Sequence, residues 1–207
     1  ELKIFKEQCE IELIDNFWLL YYLEYEMFLS RIQSILFKKG VFLMGKFENK
    51  VIIVTGAAGG IGKVTAKKLA DEGAKLALVD LNLEAVQQVI VDLGLDETRA
   101  IALQANVAKE EEVKAYVDAS VLKFGQIDCF FNNAGIEGTT KQIEDYPIET
   151  FDLVYNVNIK GAFLGLKYVL PVLKKQGFVA VVNTASWAGL IASPCMVGYI
   201  MSKHALI

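Results

Sequence analysis

The sequence predicts an α/β fold built on a doubly wound parallel sheet. Three observations carry that prediction: short unbroken apolar runs recur between residues 50 and 183, helix-length stretches separate them, and a glycine-rich turn follows the first run. An unbroken apolar run suits a strand covered on both faces. Strands alternating with helices of this length imply βαβ crossovers.

Residues 51–54 (Val-Ile-Ile-Val) read as the first strand, and a helix follows the glycines. Residues 75–79 read as strand, 83–93 as helix, 100–104 as strand and 109–124 as helix. Residues 127–131 form the next expected strand, 150–173 one long helix, 178–183 a strand, and a last helix begins near Tyr199. In such sheets ligands bind beyond the carboxyl ends of the strands, so the residues just after each strand are the candidates for function.

Composition narrows the possibilities further. The chain has 207 residues, 54% hydrophobic and 22% charged, with a net charge of −4. It can bury one substantial core, and it is too apolar to be disordered. A nucleic-acid partner is not expected, because the balance is acidic and Arg31 and Arg99 are the only arginines. Cys9, Cys129 and Cys195 are odd in number and lack metal-ligand spacing, which points to a reducing, cytoplasmic setting without disulfides and without a metal site.

The front of the chain differs from the rest. Residues 1–43 are rich in aromatics and contain no alanine or proline, whereas every alanine and proline lies from Ala57 onward. We therefore expect an N-terminal extension at 1–43 and a nucleotide-binding domain at 44–207. The longest apolar run of the extension, 17–23, is flanked by Asp15 and Glu24 and falls well short of the roughly 20 residues a spanning helix needs, so no transmembrane segment is expected. Its acidic start also fits a signal peptide poorly.

Thr55-Gly56-Ala57-Ala58-Gly59-Gly60-Ile61-Gly62 follows the first strand. Glycines let a backbone turn tightly and approach a pyrophosphate, while the amides at a helix start offer donors to negative charge. Alone, such a turn is a weak signal. Asp80 strengthens it, because it ends the second strand at about the spacing where a ribose would sit. A carboxylate there can accept both ribose hydroxyls and repels a 2′-phosphate, and Leu81 supplies no compensating charge. NAD is thus favoured over NADP, with Lys63 as the one basic residue near the glycines.

Tyr199 and Lys203 lie four residues apart and share a helix face. Ser186 stands at the end of the strand before them, and Asn158 lies within the long helix. Together with Asn132-Asn133-Ala134-Gly135 after the fourth strand, and in this order, these residues resemble the short-chain dehydrogenase/reductase family of the classical type, from about Lys46 to Ile207. The resemblance implies a Rossmann-like fold and an NAD(P)-dependent oxidoreductase acting on a small-molecule alcohol or ketone. It implies cofactor contacts at Thr55, Gly56, Gly60, Ile61, Gly62, Asp80, Leu81, Asn106, Val107, Asn133, Ala134, Gly135, Tyr199 and Lys203. Asn106 replaces an aspartate common in relatives at the adenine contact, and its amide oxygen can still accept a hydrogen bond.

The implied catalytic group is Asn158, Ser186, Tyr199 and Lys203. Tyrosine ordinarily titrates near pH 10, too high for an efficient base, so a neighbouring ammonium would favour the phenolate. Tyr199 would be the general acid/base and Lys203 its activator and a ribose contact. Ser186 would bind the substrate oxygen, and Asn158 would order a water leading protons from Lys203 to solvent. Trp187, Ala188, Leu190, Ile191, Pro194 and Met196 suit an apolar substrate pocket. His204 follows Lys203 and points elsewhere, so a structural role is expected.

The family normally continues the helix carrying Tyr199 and adds two strands and a covering loop, so a fold truncated at Ile207 is expected. The resemblance also implies a homodimer or homotetramer in the full-length form. The alternative function is a cofactor-binding or scaffold protein without turnover.

Overall fold

A computed structural model describes residues 45–177 and 179–207. The extension expected at 1–43 lies outside the described residues.

Five parallel strands form one sheet in the order β3-β2-β1-β4-β5. They are β1 (Val51–Thr55), β2 (Lys75–Asp80), β3 (Ala100–Gln104), β4 (Cys129–Asn132) and β5 (Val181–Asn183). The helices are α1 (Gly60–Asp71), α2 (Leu83–Asp92), α3 (Glu110–Phe124), α4 (Ile148–Val154), α5 (Gly161–Lys175) and α6 (Val197–His204). Every strand runs the same way, and β1 pairs with β2 on one side and β4 on the other. The chain therefore reverses its direction of travel at the β1/β4 border, which opens a crevice at the strand ends.

The apolar runs behave as a sheet covered on both faces requires. Strand side chains alternate, so Ile53, Ala77 and Val79 meet Val113, Val117, Leu164 and Leu173 from α3 and α5. Their neighbours Ile52, Val54, Leu76 and Leu78 pack on the opposite face against Ala66, Ala70, Val86 and Val89 of α1 and α2. All five residues of β1 are buried. A polar substitution in β1 would thus face apolar helices whichever way it pointed.

The long helix expected at 150–173 requires correction. The helical stretch begins earlier, after Pro147, and is broken by a π-helical segment at Tyr155–Lys160 before it resumes as α5. A π segment holds a surplus residue within helical winding, and here it carries Asn158, whose side chain is engaged by residues far away in sequence. A methyl on Gly161 would come 2.8 Å from Val107 Cγ2, so the glycine lets the restarted helix approach the β3–α3 loop. Strand boundaries also shift: β4 runs from Cys129 to Asn132 and β5 only from Val181 to Asn183. Among the described residues no helix is long and apolar enough to cross a membrane.

Asp128 anchors the start of β1. Its carboxylate accepts hydrogen bonds from Val51 N at 2.8 Å, Lys50 Nζ at 3.1 Å and Gln126 Nε2 at 2.6 Å. Burial pushes this carboxyl up, but those hydrogen bonds outweigh it and hold it below the usual carboxylate range. A carboxyl depressed on folding contributes stability above its unfolded value near 4, and that contribution is lost as pH falls through the lower folded value. Asp128→Asn should lower stability by about 1 kcal/mol at neutral pH. It should also flatten the acid limb of the Tm-versus-pH curve below about pH 4, as calorimetric melts will read.

Candidate active site

The site is assembled at the border of β1 and β4. Thr55, fully buried at the end of β1, accepts hydrogen bonds through Oγ1 from Asn133 N at 2.9 Å and Ala134 N at 3.0 Å. Its hydroxyl thereby fixes the turn after β4 against the turn after β1. Gly56 adopts φ +65°, which an L side chain rarely tolerates, and a Cβ there would lie 3.1 Å from Ala134 Cα. A Cβ on Gly62 would fall 2.0 Å from Gly56 O, whereas one on Gly60 would meet nothing within 4 Å. One glycine is required by the protein's own backbone, and the other borders open space.

Helix α1 begins at Gly60 without a side-chain cap and without an acidic residue in its first turn. Its leading amides are not satisfied within the helix, and the local dipole favours an anion. Asp80 stands at the end of β2, where Oδ2 accepts from Ala58 N at 3.0 Å and Oδ1 from Asn82 N at 3.3 Å. The two bonds hold the carboxylate beside the glycine turn and leave lone pairs on both oxygens.

A cavity of 160 Å³ opens there. Gly56, Asp80, Leu81, Asn106, Val107, Ala134 and Gly135 line it, as do Ala105, Ile136 and Val157, which the sequence did not single out. Asn106 Oδ1 accepts from Ala108 N at 3.0 Å, which retains the second lone pair of that oxygen. The shape and chemistry suit a base and its ribose: an apolar wall with one carboxylate at its edge.

A second cavity of 340 Å³ is lined by Ile61, Asn133, Gly135, Thr184, Tyr199 and Lys203, with Ile136 and Glu137. Gly135 and Ile136 border both spaces, so one extended ligand can span them. Lys203 is 4% exposed, donates from Nζ to Thr184 O at 2.7 Å, and lies 5.6 Å from the centroid of the Tyr199 ring. Burial pushes its ammonium below the ordinary lysine value.

Asn158 is 1% exposed and makes three hydrogen bonds to two residues. Its Oδ1 accepts from Ile136 N at 2.8 Å, and its Nδ2 donates to Ile136 O at 2.8 Å and Ser202 Oγ at 2.9 Å. Ser202 Oγ in turn donates to Tyr199 O at 2.7 Å. The π segment thereby ties the loop after β4 to the helix that carries Tyr199. Ser202, a small hydroxyl on the helix between Tyr199 and Lys203, was missed in the sequence because its importance comes from the distant contact with Asn158.

Ser186 precedes a 3₁₀ turn at Trp187–Gly189, and its Oγ accepts from Ala188 N at 3.1 Å. The hydroxyl proton is still available to a substrate oxygen. Thr55, Gly60, Gly62, Asn158 and Ser186 line neither cavity. Trp187 and Leu190, expected in an apolar pocket, are exposed and also lie outside both. His204 is exposed, with Nδ1 2.9 Å from Ile200 O. Among the described residues no group of histidine, cysteine or acidic side chains could hold a metal ion.

A family model described as short chain dehydrogenase matches residues 50–207. The chain belongs to the short-chain dehydrogenase family. It is 41% identical over 165 residues to levodione reductase from Leifsonia aquatica, covering 78% of this chain and 61% of that protein. It is likewise 41% identical over 164 residues to cyclohexanol dehydrogenase from Acinetobacter sp. (strain SE19), covering 79% of this chain and 65% of the relative. A crystal structure of NAD+-bound xylitol dehydrogenase superposes with a TM-score of 0.74 at 41% identity, covering 78% of this chain and 62% of that one. The chain thus spans less than two thirds of the length of each of these three proteins.

Proposed function

We propose that the protein carrying this chain is an NAD-dependent oxidoreductase that interconverts a secondary alcohol and a ketone, with Tyr199 as general acid/base. The observation that carries this proposal is the second cavity, where Tyr199 and Lys203 meet Ile61 and Gly135 of the two nucleotide-facing turns. A dinucleotide fits the groups present: the leading amides of α1 would hold its pyrophosphate, Asp80 a ribose, and Lys203 the ribose next to the reacting ring. When bound, the nicotinamide supplies or accepts the hydride.

The protein's part is the proton and the charge on oxygen. Lys203 Nζ lies beside the Tyr199 ring at the cavity wall, and Tyr199 takes the alcohol proton in the oxidative direction and returns it in the reductive one. Ser186 donates its hydroxyl proton to the substrate oxygen and stabilises the charge that develops there. Asn158 Oδ1 retains a lone pair beyond its bond to Ile136. It approaches to 3.3 Å, and Lys203 Nζ to 3.5 Å, of the position a methyl on Gly135 would take, which suits a water between them. That water would return protons to Lys203 from solvent.

Asp80 supports NAD over NADP, because a 2′-phosphate would meet its carboxylate. Lys63, the one basic residue near the glycines, is paired with Asp92 Oδ2 at 2.7 Å. Asp80→Ala should raise the KM for NAD by about 10- to 100-fold, the worth of hydrogen bonds to a charged acceptor. It should also narrow the preference over NADP. Exposed Leu153 and Phe163 support a homo-oligomer in the full-length form, and the free thiols of Cys129 and Cys195 suit a reducing cytoplasm.

The decisive experiment is a steady-state assay of the full-length protein with NAD and a panel of cyclic and acyclic secondary alcohols, following the near-ultraviolet absorbance of reduced nicotinamide. Turnover of at least one alcohol class is expected. Tight NAD binding without turnover of any would overturn the proposal in favour of a scaffold.

A further inference from the structure

We infer that Thr184 is a positioning residue that couples the cofactor turn to the catalytic lysine, through its side chain on one side and its backbone on the other. This rests on the proposed cofactor site. Thr184 follows the last residue of β5, and its N donates to Asn132 O at 3.1 Å, which continues the strand pairing by one step. Its carbonyl oxygen accepts from Lys203 Nζ at 2.7 Å. Its hydroxyl lies 3.1 Å from Asn133 Oδ1.

The direction of that last bond follows from donor and acceptor accounting. Asn133 Nδ2 faces two backbone carbonyls, Thr55 O at 3.0 Å and Gly56 O at 3.5 Å. Carbonyls only accept, so the amide NH₂ must point at them and Oδ1 must face Thr184. The Thr184 hydroxyl is therefore the donor. It holds Asn133 in the one amide orientation that braces the end of β1 and Gly56, the positive-φ residue that opens the phosphate turn. Remove the donor and Asn133 Oδ1 loses its hydrogen bond, so the amide is held from its NH₂ side alone, while the Thr184 carbonyl that seats Lys203 persists. The two halves of the site should then respond unequally.

The test compares Thr184→Val, which keeps the shape and removes the donor, with Thr184→Ser, which keeps the donor, both in the full-length protein. The readouts are calorimetric titration with NAD, steady-state kinetics and thermal melts. For Thr184→Val the Kd for NAD should rise about five- to tenfold, the loss of one hydrogen bond. The KM for NAD should rise by a similar factor, with a smaller change in kcat. Thr184→Ser should restore binding to within about twofold of wild type. If Thr184→Val does not fold, Thr184→Cys replaces it; its weak S–H donor should raise the Kd about threefold.

Wild-type NAD affinity in the valine variant, or in the cysteine variant when that stands in for it, would overturn the coupling. So would a serine variant as impaired as valine, since that would show packing and not donation. Failure of the wild-type protein itself to bind NAD would overturn the proposed function, and Thr184's role with it.

Discussion

Tyr199→Phe should lower kcat by about 10²- to 10⁴-fold, the usual contribution of a positioned acid/base, and leave NAD affinity within a few-fold of wild type. Phenylalanine keeps the ring beside which Lys203 Nζ lies, so the lysine's surroundings and its bond to Thr184 O need not change. Only the phenolic oxygen is lost, and with it the atom that exchanges a proton with the substrate. His204 cannot substitute, since it is exposed and its ring bonds the carbonyl of Ile200. Glu137 is the acidic side chain on the cavity wall. A loss in kcat smaller than tenfold would reassign proton transfer to it. Steady-state rates at saturating NAD, paired with calorimetric titration of the cofactor, measure both quantities.

The second large effect is expected at Gly62. An alanine Cβ there would lie 2.0 Å from Gly56 O, 2.8 Å from Gly56 C and 2.9 Å from Ala57 Cα. All three obstacles are backbone, so no side-chain rotation relieves the overlap. The turn cannot retreat freely, because Gly56 already lies close to Ala134. Gly62→Ala should cost about 1–3 kcal/mol of stability, as forced overpacking does, and weaken NAD binding more than tenfold by moving the amides that would meet the pyrophosphate. Gly60→Ala is the contrasting variant. Its Cβ meets nothing, so the melting temperature should be held or rise slightly, while NAD binding should weaken because the methyl would enter the open space before α1, where the proposed pyrophosphate would lie. Equal destabilisation by the two substitutions in thermal melts would show that the turn is not built as described.

How far the sequence could be read follows from the range over which each signal acts. The parallel sheet was legible because burial on both faces demands unbroken apolar runs, and residues 51–54 and 75–79 show them. The glycine turn and Asp80 were legible because one directly follows a strand and the other ends one. The π segment was not. A single surplus residue is a small break in an apolar pattern of this length, and the residue it carries, Asn158, bonds to Ile136 and Ser202, both far away in sequence. Thr184 and Ser202 escaped notice for the same reason, as ordinary hydroxyl residues whose partners are supplied by the fold. Ser186 was recognised as a candidate, but its capping bond to Ala188 and its place outside both cavities were visible only in three dimensions.

The surplus residue in the π segment also acts as a phase setting. A helix turns by roughly 100° per residue, so deleting one position within 155–160 would restore regular winding and rotate everything before the cut about a quarter-turn relative to α5. Asn158 could then no longer face Ile136 and Ser202 together. A stretch that looks like interchangeable helix is thus intolerant of a change in length, and the tie between the loop after β4 and α6 depends on the number of residues there as much as on their identity.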